Sequence, residues 1–405
     1  MMQQKQILPE LFPVPGICLG TASAGIKRPG MTDLVIMSIA EGASCSAVFT
    51  RNAFCAAPVT VAREFLAQGQ PSYLLVNTGN ANAGTGEPGI RAARQCCESL
   101  AQYAGCEAAA VLPFSTGVIG EPLPVDRICA ALPDALANLD ENGWAAAADG
   151  ILTTDTVPKG VSRQVRIGGE LITITGIAKG SGMIRPDMAT MLAFIATDAR
   201  IEGDALRQSL SAAVEASFNR ITVDGDTSTN DACVLVATAT SPLPVLQKDG
   251  TDYAAFCEVL TAVCIELAQA IVRDGEGATR FVTVNVEGGA NAAECLQVAY
   301  TIAHSPLVKT ALFAGDPNWG RILAAVGRAG LPDLDLEAVE IYLDDVCIVR
   351  AGARAVDYTE AAGQQVMERD ELIIRVVLGR GASCETVWTC DLSYDYVRIN
   401  AEYRT

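Results

Sequence analysis

Ser181-Gly-Met-Ile-Arg-Pro-Asp-Met-Ala189 is loop-like by its glycine and Pro186, and it gives way at once to the apolar run Thr190-Met-Leu-Ala-Phe-Ile-Ala196. A short apolar run bounded by turn residues reads as a buried strand, so a threonine stands at a loop-to-strand boundary. Upstream, Ser162 to Ile167 and Glu170 to Thr175 alternate polar and apolar residues around Gly168-Gly169, the pattern of a β-hairpin. Downstream, a helix is expected after Gly203-Asp204 with Asp204 as its N-cap, and another from about Asp252 to Arg273, ahead of Gly275. Both have an apolar face suited to packing on a sheet.

Farther out the alternation continues. Tyr73 to Asn77 reads as a buried strand, Pro88 to Ala104 as a helix stopped by Gly105, and Ala108 to Pro113 as extended chain. From Arg280 onward a strand is followed by helices and then by strands. With no internal repeat or low-complexity tract, this is the layout of a mixed α and β architecture. A domain boundary is expected there, dividing residues 1–281 from residues 282–405.

The composition narrows the chemistry. The chain has 405 residues, a net charge of −18, fourteen cysteines and a single histidine, His304. Paired-histidine zinc sites are excluded, and a Ser-His-Asp or Cys-His site would have to be assembled around His304 alone. The acidity disfavours nucleic-acid and anionic-membrane partners, which are held by clustered Lys and Arg. Small molecules are the expected ligands. The cysteines are scattered, with no C-x-x-C pair, and Met1-Met2-Gln3-Gln4-Lys5 lacks the layout of a secretory signal. Reduced thiols in a soluble cytoplasmic protein are therefore expected, with the adjacent Cys96-Cys97 as core packing on a helix. No uninterrupted apolar stretch reaches membrane-spanning length.

Three motifs have ordinary readings beside functional ones. Gly84-Thr-Gly86-Glu-Pro-Gly89 matches the dinucleotide-binding pattern, but Thr78 to Ala83 separates it from the preceding strand and Pro88 removes an amide near the helix start. A connecting loop is the better reading. Asp224-Gly-Asp-Thr-Ser-Thr-Asn-Asp231 could hold a hard cation, yet as an EF-hand it lacks the required glycine and glutamate, where Thr229 and Leu235 stand. A capped turn or an active-site wall is favoured. His304 precedes Ser305-Pro306, a good N-cap and first helical residue, and no nucleophile lies near it. Gly315-Asp-Pro-Asn-Trp-Gly-Arg321 is a second rigid loop leading into a helix.

Thr190 offers a base without imidazole. If the Ala189-Thr190 bond is cut, the new N-terminal threonine carries a hydroxyl and an α-amine on adjacent carbons, and an α-amine titrates near pH ~7.7–8.0. Before cleavage, the same hydroxyl could attack the carbonyl of Ala189. Ser115-Thr116-Gly117, after the strand ending at Pro113, offers a hydroxyl beside a glycine amide for the developing oxyanion. Most threonines bordering apolar runs only pack there.

Seven stretches, in order along nearly the whole chain, resemble the ornithine acetyltransferases of arginine biosynthesis, also called bifunctional glutamate N-acetyltransferases. They are Val76-Asn-Thr-Gly-Asn-Ala-Asn-Ala83, Ser115-Thr-Gly-Val-Ile-Gly120, Lys179-Gly-Ser-Gly-Met-Ile184, Met188-Ala-Thr-Met-Leu192, Asp224 to Asp231, Gly315 to Arg321 and Asn400-Ala-Glu-Tyr-Arg-Thr405. The resemblance implies a layered αββα-type sandwich with a smaller C-terminal α/β domain, and self-cleavage into an α chain 1–189 and a β chain 190–405. It implies Thr190 as nucleophile, Thr116 and Gly117 as the oxyanion hole, and Thr153, Lys179, Thr190, Glu276, Asn400 and Thr405 as substrate contacts. The implied reaction is ping-pong: Thr190 takes acetyl from N2-acetylornithine and passes it to the α-amine of glutamate. No cofactor or metal is implied, acetyl-CoA is a candidate co-substrate, and a dimer of αβ units is the implied assembly. Within the substrate set, Lys179 suits the α-carboxylate common to both substrates, Glu276 suits an ammonium group, and Asn400 with the C-terminal residues suits pocket closure. Asp187 departs from the Asn common at its place in that family. Two rival readings are an N-terminal-nucleophile amidohydrolase or aminopeptidase that sends the acyl group to water, and a metal- or nucleotide-binding module.

Overall fold

The hairpin expected around Gly168-Gly169 is present and longer than its alternating pattern, pairing Lys159–Ile167 with Glu170–Lys179. The computed structural model describes residues 8–27, 30–185 and 191–402. The chain divides into two units, one of residues 1–219 with 226–271, the other of residues 220–225 with 272–405.

In the first unit the described strands are β1 (Ile17–Ala22), β2 (Leu34–Ile39), β3 (Ser44–Phe49), β4 (Tyr73–Asn80), β5 (Val111–Val118), β6 (Lys159–Ile167), β7 (Glu170–Lys179), β8 (Leu192–Thr197) and β9 (Ala232–Ala237). They form two sheets, ordered β1-β2-β4-β5 and β3-β9-β8-β7-β6. Side-chain alternation sets the layers. In β5, Phe114 meets Phe194 of β8 edge to face, with ring centroids 5.2 Å apart, which adds about 0.5–1.5 kcal/mol beyond burial. On the other face of the first sheet, Leu75 and Pro113 line a small cavity with Ala93 and Cys96 of the helix Gly86–Ala104 and Ile128 of the helix Val125–Ala137. Across the second sheet, an added Cβ at Gly176 of β7 would meet Leu267 at 3.1 Å, which places the helix Thr251–Arg273 on the outer face. The helix Gly203–Ala216 covers β3 and β9 on that sheet. Helix, sheet, sheet and helix therefore follow one another, and the apolar interior between the sheets includes Val76, Leu112, Leu192, Val234 and Val236.

The helix Thr251–Arg273 has the length and hydropathy of a membrane span. Its buried residues Phe256, Leu260, Val263, Cys264, Leu267 and Ala268 recur at helical spacing, as in a helix with one face on a sheet.

The second unit holds β10 (Phe281–Gly289), β11 (Glu340–Leu343), β12 (Val346–Arg350), β13 (Ala353–Arg354), β14 (Glu371–Val377) and β15 (Ser383–Cys390), ordered β13-β12-β11-β14-β10-β15. The helix Ala292–Ala303 lies on β10 and β15. Val284, Val298, Ile302, Ile374 and Val387 belong to the core beneath it.

Two local expectations are corrected. Glu202, not Asp204, occupies the N-cap position of the helix Gly203–Ala216; Asp204 lies in its first turn and accepts from Arg207 at 2.9 Å. Ala108–Ala110 is a 3-10 turn, and the strand that follows runs to Val118 instead of ending at Pro113. Thr116 and Gly117 are thus strand residues, carried past Pro113 by parallel pairing with β4.

Candidate active site

The end of β5 is shaped by its neighbours. Gly117 has φ +137, and a Cβ there would lie 2.3 Å from the carbonyl carbon of Gly79 and 2.5 Å from the amide nitrogen of Asn80. Only glycine permits this approach, which coincides with a register shift at Gly79 and Asn80. Side chains fasten the strand ends: Ser115 Oγ donates to Asn77 Oδ1 at 2.6 Å, and Asn230 Nδ2 donates to the carbonyls of Ala81 at 2.6 Å and Ser115 at 2.9 Å. Asn230 comes from the Asp224–Asp231 motif, so part of that motif serves as a wall for the Ser115-Thr116-Gly117 strand.

Lys179 ends β7 on the facing sheet. Its Nζ donates to Thr116 Oγ1 at 3.4 Å and lies 3.9 Å from Asp155 Oδ2. Asp155 is the hub of a buried charge cluster. Its side chain is fully buried, Lys159 Nζ donates to its Oδ1 at 2.7 Å, and the amides of Gly180 and Thr153 donate at 2.7 and 3.0 Å. The Thr153 hydroxyl donates at 3.4 Å. Burial opposes ionisation of Asp155, but the charges of Lys159 and Lys179 outweigh it and hold the carboxyl well below the usual range. Thr153, Lys179 and Thr116, all expected at the site from the family resemblance, are joined through this cluster.

Asp231 is a second buried carboxyl, at the entrance to β9. Among the described residues, Oδ2 has no hydrogen-bond partner. Burial pushes its pKa well above the usual carboxylate range, against the opposing influence of the Ser228 hydroxyl, the Lys179 charge and the amides of Asp231 and Met191. In the ladder, Leu192 pairs with Lys179 on one side and Ala232 on the other, while the Ala232 amide donates to the Met191 carbonyl at 3.1 Å. The start of β8 is thereby aligned with Lys179 and Asp231. Ala189, Thr190 and Thr405 lie outside the described residues, as does Asp187.

In the second unit, Asn400 Nδ2 donates to Glu276 Oε2 at 2.8 Å and to the Tyr396 carbonyl at 3.0 Å. The helix Tyr394–Ala401 is started by Ser393, whose side chain caps Tyr396 and donates to the Gly277 carbonyl at 2.6 Å. The helix is thus anchored to the loop carrying Glu276. His304 ends the helix Ala292–Ala303, stacks on Tyr300, and its Nε2 lies 3.1 Å from Thr222 Oγ1. Ser305 and Pro306 start the next helix as expected. In the Gly315–Arg321 loop, Asn318 caps the helix Trp319–Gly327 and Arg321 donates to the Leu307 carbonyl at 2.8 Å.

The Gly84–Gly89 loop is filled by its own side chains. An added Cβ at Gly89 would lie 1.9 Å from Thr85 Oγ1 and 2.6 Å from Asn82 Oδ1, so local packing accounts for that glycine without a phosphate. Among the described residues, no three metal-ligating side chains converge. Sequence reasoning missed Asp155, Lys159 and Asp231. Asp155 and Lys159 form an i,i+4 ion pair outside any helix, where spacing carries no signal, and Asp231 was submerged in a motif read as a turn.

These layers, with a buried charged cluster where the two sheets end, define an enzyme of the αββα class. The chain belongs to the ArgJ family, whose model matches residues 18–405. It is 60% identical over 399 residues to the arginine biosynthesis bifunctional protein ArgJ of Pseudomonas syringae pv. tomato, covering 98% of each chain. The protein of that name from Methylococcus capsulatus is 60% identical over 395 residues, covering 98% of this chain and 97% of the relative. The crystal structure of the Bacillus halodurans protein of that name superposes with a TM-score of 0.51 at 41% identity, covering 53% of this chain and 100% of that one.

Proposed function

We propose that Thr190, exposed by self-cleavage after Ala189, carries acetyl between two amino-acid substrates, with Thr116 and Gly117 as the oxyanion hole and Thr153, Lys179, Glu276, Asn400 and Thr405 as the other substrate contacts. The enzyme is a glutamate N-acetyltransferase of arginine biosynthesis, transferring acetyl from N2-acetylornithine to glutamate. Acetyl-CoA serves as a second acetyl donor in the bifunctional form of this reading. The observation that carries the site assignment is the position of Lys179, whose Nζ is 3.4 Å from Thr116 Oγ1 and whose backbone pairs with Leu192, two residues after Thr190.

The chemistry follows from these groups. The Thr190 hydroxyl attacks the acetyl carbonyl and gives its proton to the α-amine, which passes a proton to the departing ornithine nitrogen as the C–N bond breaks. Thr116 and the Gly117 amide stabilise the oxyanion. Glutamate's α-amine then attacks the threonine ester and leaves as N-acetylglutamate, restoring the hydroxyl. Lys179 holds the α-carboxylate common to both substrates. Glu276, oriented by Asn400, takes an ammonium group. A cytoplasmic dimer of cleaved αβ units completes the reading.

The decisive experiment is acetyl transfer from N2-acetylornithine with and without glutamate, alongside intact-mass detection of an acetylated β chain. Deacetylation at the same rate without glutamate would replace the transferase by the amidohydrolase. Absence of an acetylated chain under turnover would remove the threonine intermediate.

A further inference from the structure

Two buried lysines share one buried carboxylate, and they share it unequally. Lys159 Nζ is 2.7 Å from Asp155 Oδ1, a charge-assisted hydrogen bond, whereas Lys179 Nζ is 3.9 Å from Oδ2, beyond hydrogen-bond reach. The Lys159 and Asp155 side chains are 1% and 0% exposed, and that of Lys179 is 10% exposed. Asp155 is further restrained by the amides of Gly180 and Thr153 at 2.7 and 3.0 Å. Closing the Lys179 gap to a bond of about 2.8 Å requires a movement of only about 1 Å. A buried carboxylate gains strongly from such a contact, so something must hold it back.

We propose that Lys159 and Asp155 are positioning residues for the proposed substrate-carboxylate lysine: Lys159 occupies Asp155, which keeps the Lys179 ammonium oriented and available to an incoming α-carboxylate. Asp155 lies 3.9 Å from the Lys179 ammonium without taking its donors. Lys159 is the counter-cation that prevents capture. Through Thr153 and Gly180, the same carboxylate fixes the backbone on which Thr153 and Lys179 stand. This rests on the reading of Lys179 as the carboxylate ligand, and the substrate selected is any amino acid or N-acyl amino acid presenting a free α-carboxylate.

The test is steady-state kinetics of acetyl transfer in Lys159→Met, in the double variant Lys159→Met/Asp155→Asn, and in Lys179→Ala, with folding followed by circular dichroism. In Lys159→Met, Asp155 turns to Lys179, and KM for N2-acetylornithine and for glutamate should rise together by roughly tenfold or more, the scale of one lost charge-assisted hydrogen bond, with a smaller change in kcat. The double variant removes captor and counter-cation together, so both KM values should return toward those of the unaltered enzyme. A purely structural role predicts the reverse, a double variant no better than the single one, and that result overturns the inference. So does an unchanged KM in Lys159→Met where Lys179→Ala raises it, which leaves the carboxylate role of Lys179 standing. Unchanged KM values in Lys179→Ala remove that role and this inference with it. If Lys159→Met does not fold, the double variant decides alone, because KM values as high as those of Lys179→Ala contradict the release of Lys179.

Discussion

The Asn400 side-chain amide donates to Glu276 Oε2 at 2.8 Å across 124 residues of sequence. Glu276 is 7% exposed, so its carboxylate is presented in one orientation. Glu276→Gln should raise KM for N2-acetylornithine by roughly tenfold, about 1.4 kcal/mol, with kcat less affected. Asn400→Ala should shift KM in the same direction by less, because it loosens the carboxylate without removing it. Initial-rate kinetics check both.

Thr190→Ala should leave a single full-length chain on denaturing electrophoresis and abolish acetyl transfer. Two chains from this variant would place the cleavage chemistry elsewhere.

Thr116→Val keeps the shape of the side chain and removes the hydroxyl that Lys179 contacts. If this hydroxyl meets the oxyanion, kcat should fall by about 10²–10³-fold with little change in KM. Gly117→Ala should act differently, lowering the melting temperature as well as activity, since its methyl group has no room against Gly79.

Asp155 and Asp231 should respond to pH with opposite signs. An acid held below its unfolded value adds stability above about pH 4, and that stability fades as pH falls. Asp155→Asn should therefore flatten the acid limb of the melting-temperature profile while costing about 3–5 kcal/mol near neutrality, where Lys159 loses its bond to this carboxylate. Asp231 is held above its unfolded value. The unfolded chain gives up this proton near pH ~4 while the folded protein keeps it, so stability declines as pH rises from there. Asp231→Asn should remove that decline. Thermal melts from about pH 3 to about pH 8 follow both variants.

His304→Ala should change turnover little, because the ring is engaged by Thr222 and Tyr300 and the proposed proton carrier is an α-amine. A large loss of kcat in a folded variant would return histidine to the mechanism.

Periodicity made much of the fold legible. The hairpin about Gly168-Gly169, the strand at Tyr73 and the helix before Gly105 all have local patterns, and the structure places them there. Boundaries were less legible: Ser115 to Val118 extends a strand because β4 lies alongside, and nothing within those residues announces the neighbour. The family resemblance named Thr116, Thr153, Lys179, Glu276 and Asn400, and the structure links the first three through Asp155 and pairs the last two. Asp155 and Lys159 escaped notice because an ion pair between a loop and the first residue of a strand has no period, and its burial is decided by chain that arrives from elsewhere.

The strand order of the second sheet gives a break after Ala189 an unusual outcome. β8 and β9 follow Thr190 in sequence, yet they are enclosed between β3 on one side and β7 and β6 on the other, all from the preceding segment. Six residue pairs join β3 to β9 and six join β7 to β8. Scission there would sever a covalent bond without freeing either product, as with two interlaced hands. The fragments would be obligate complements, each holding the strands that complete the other's sheet, so the proposed maturation would be a one-way event that separate expression of the two halves could not readily imitate.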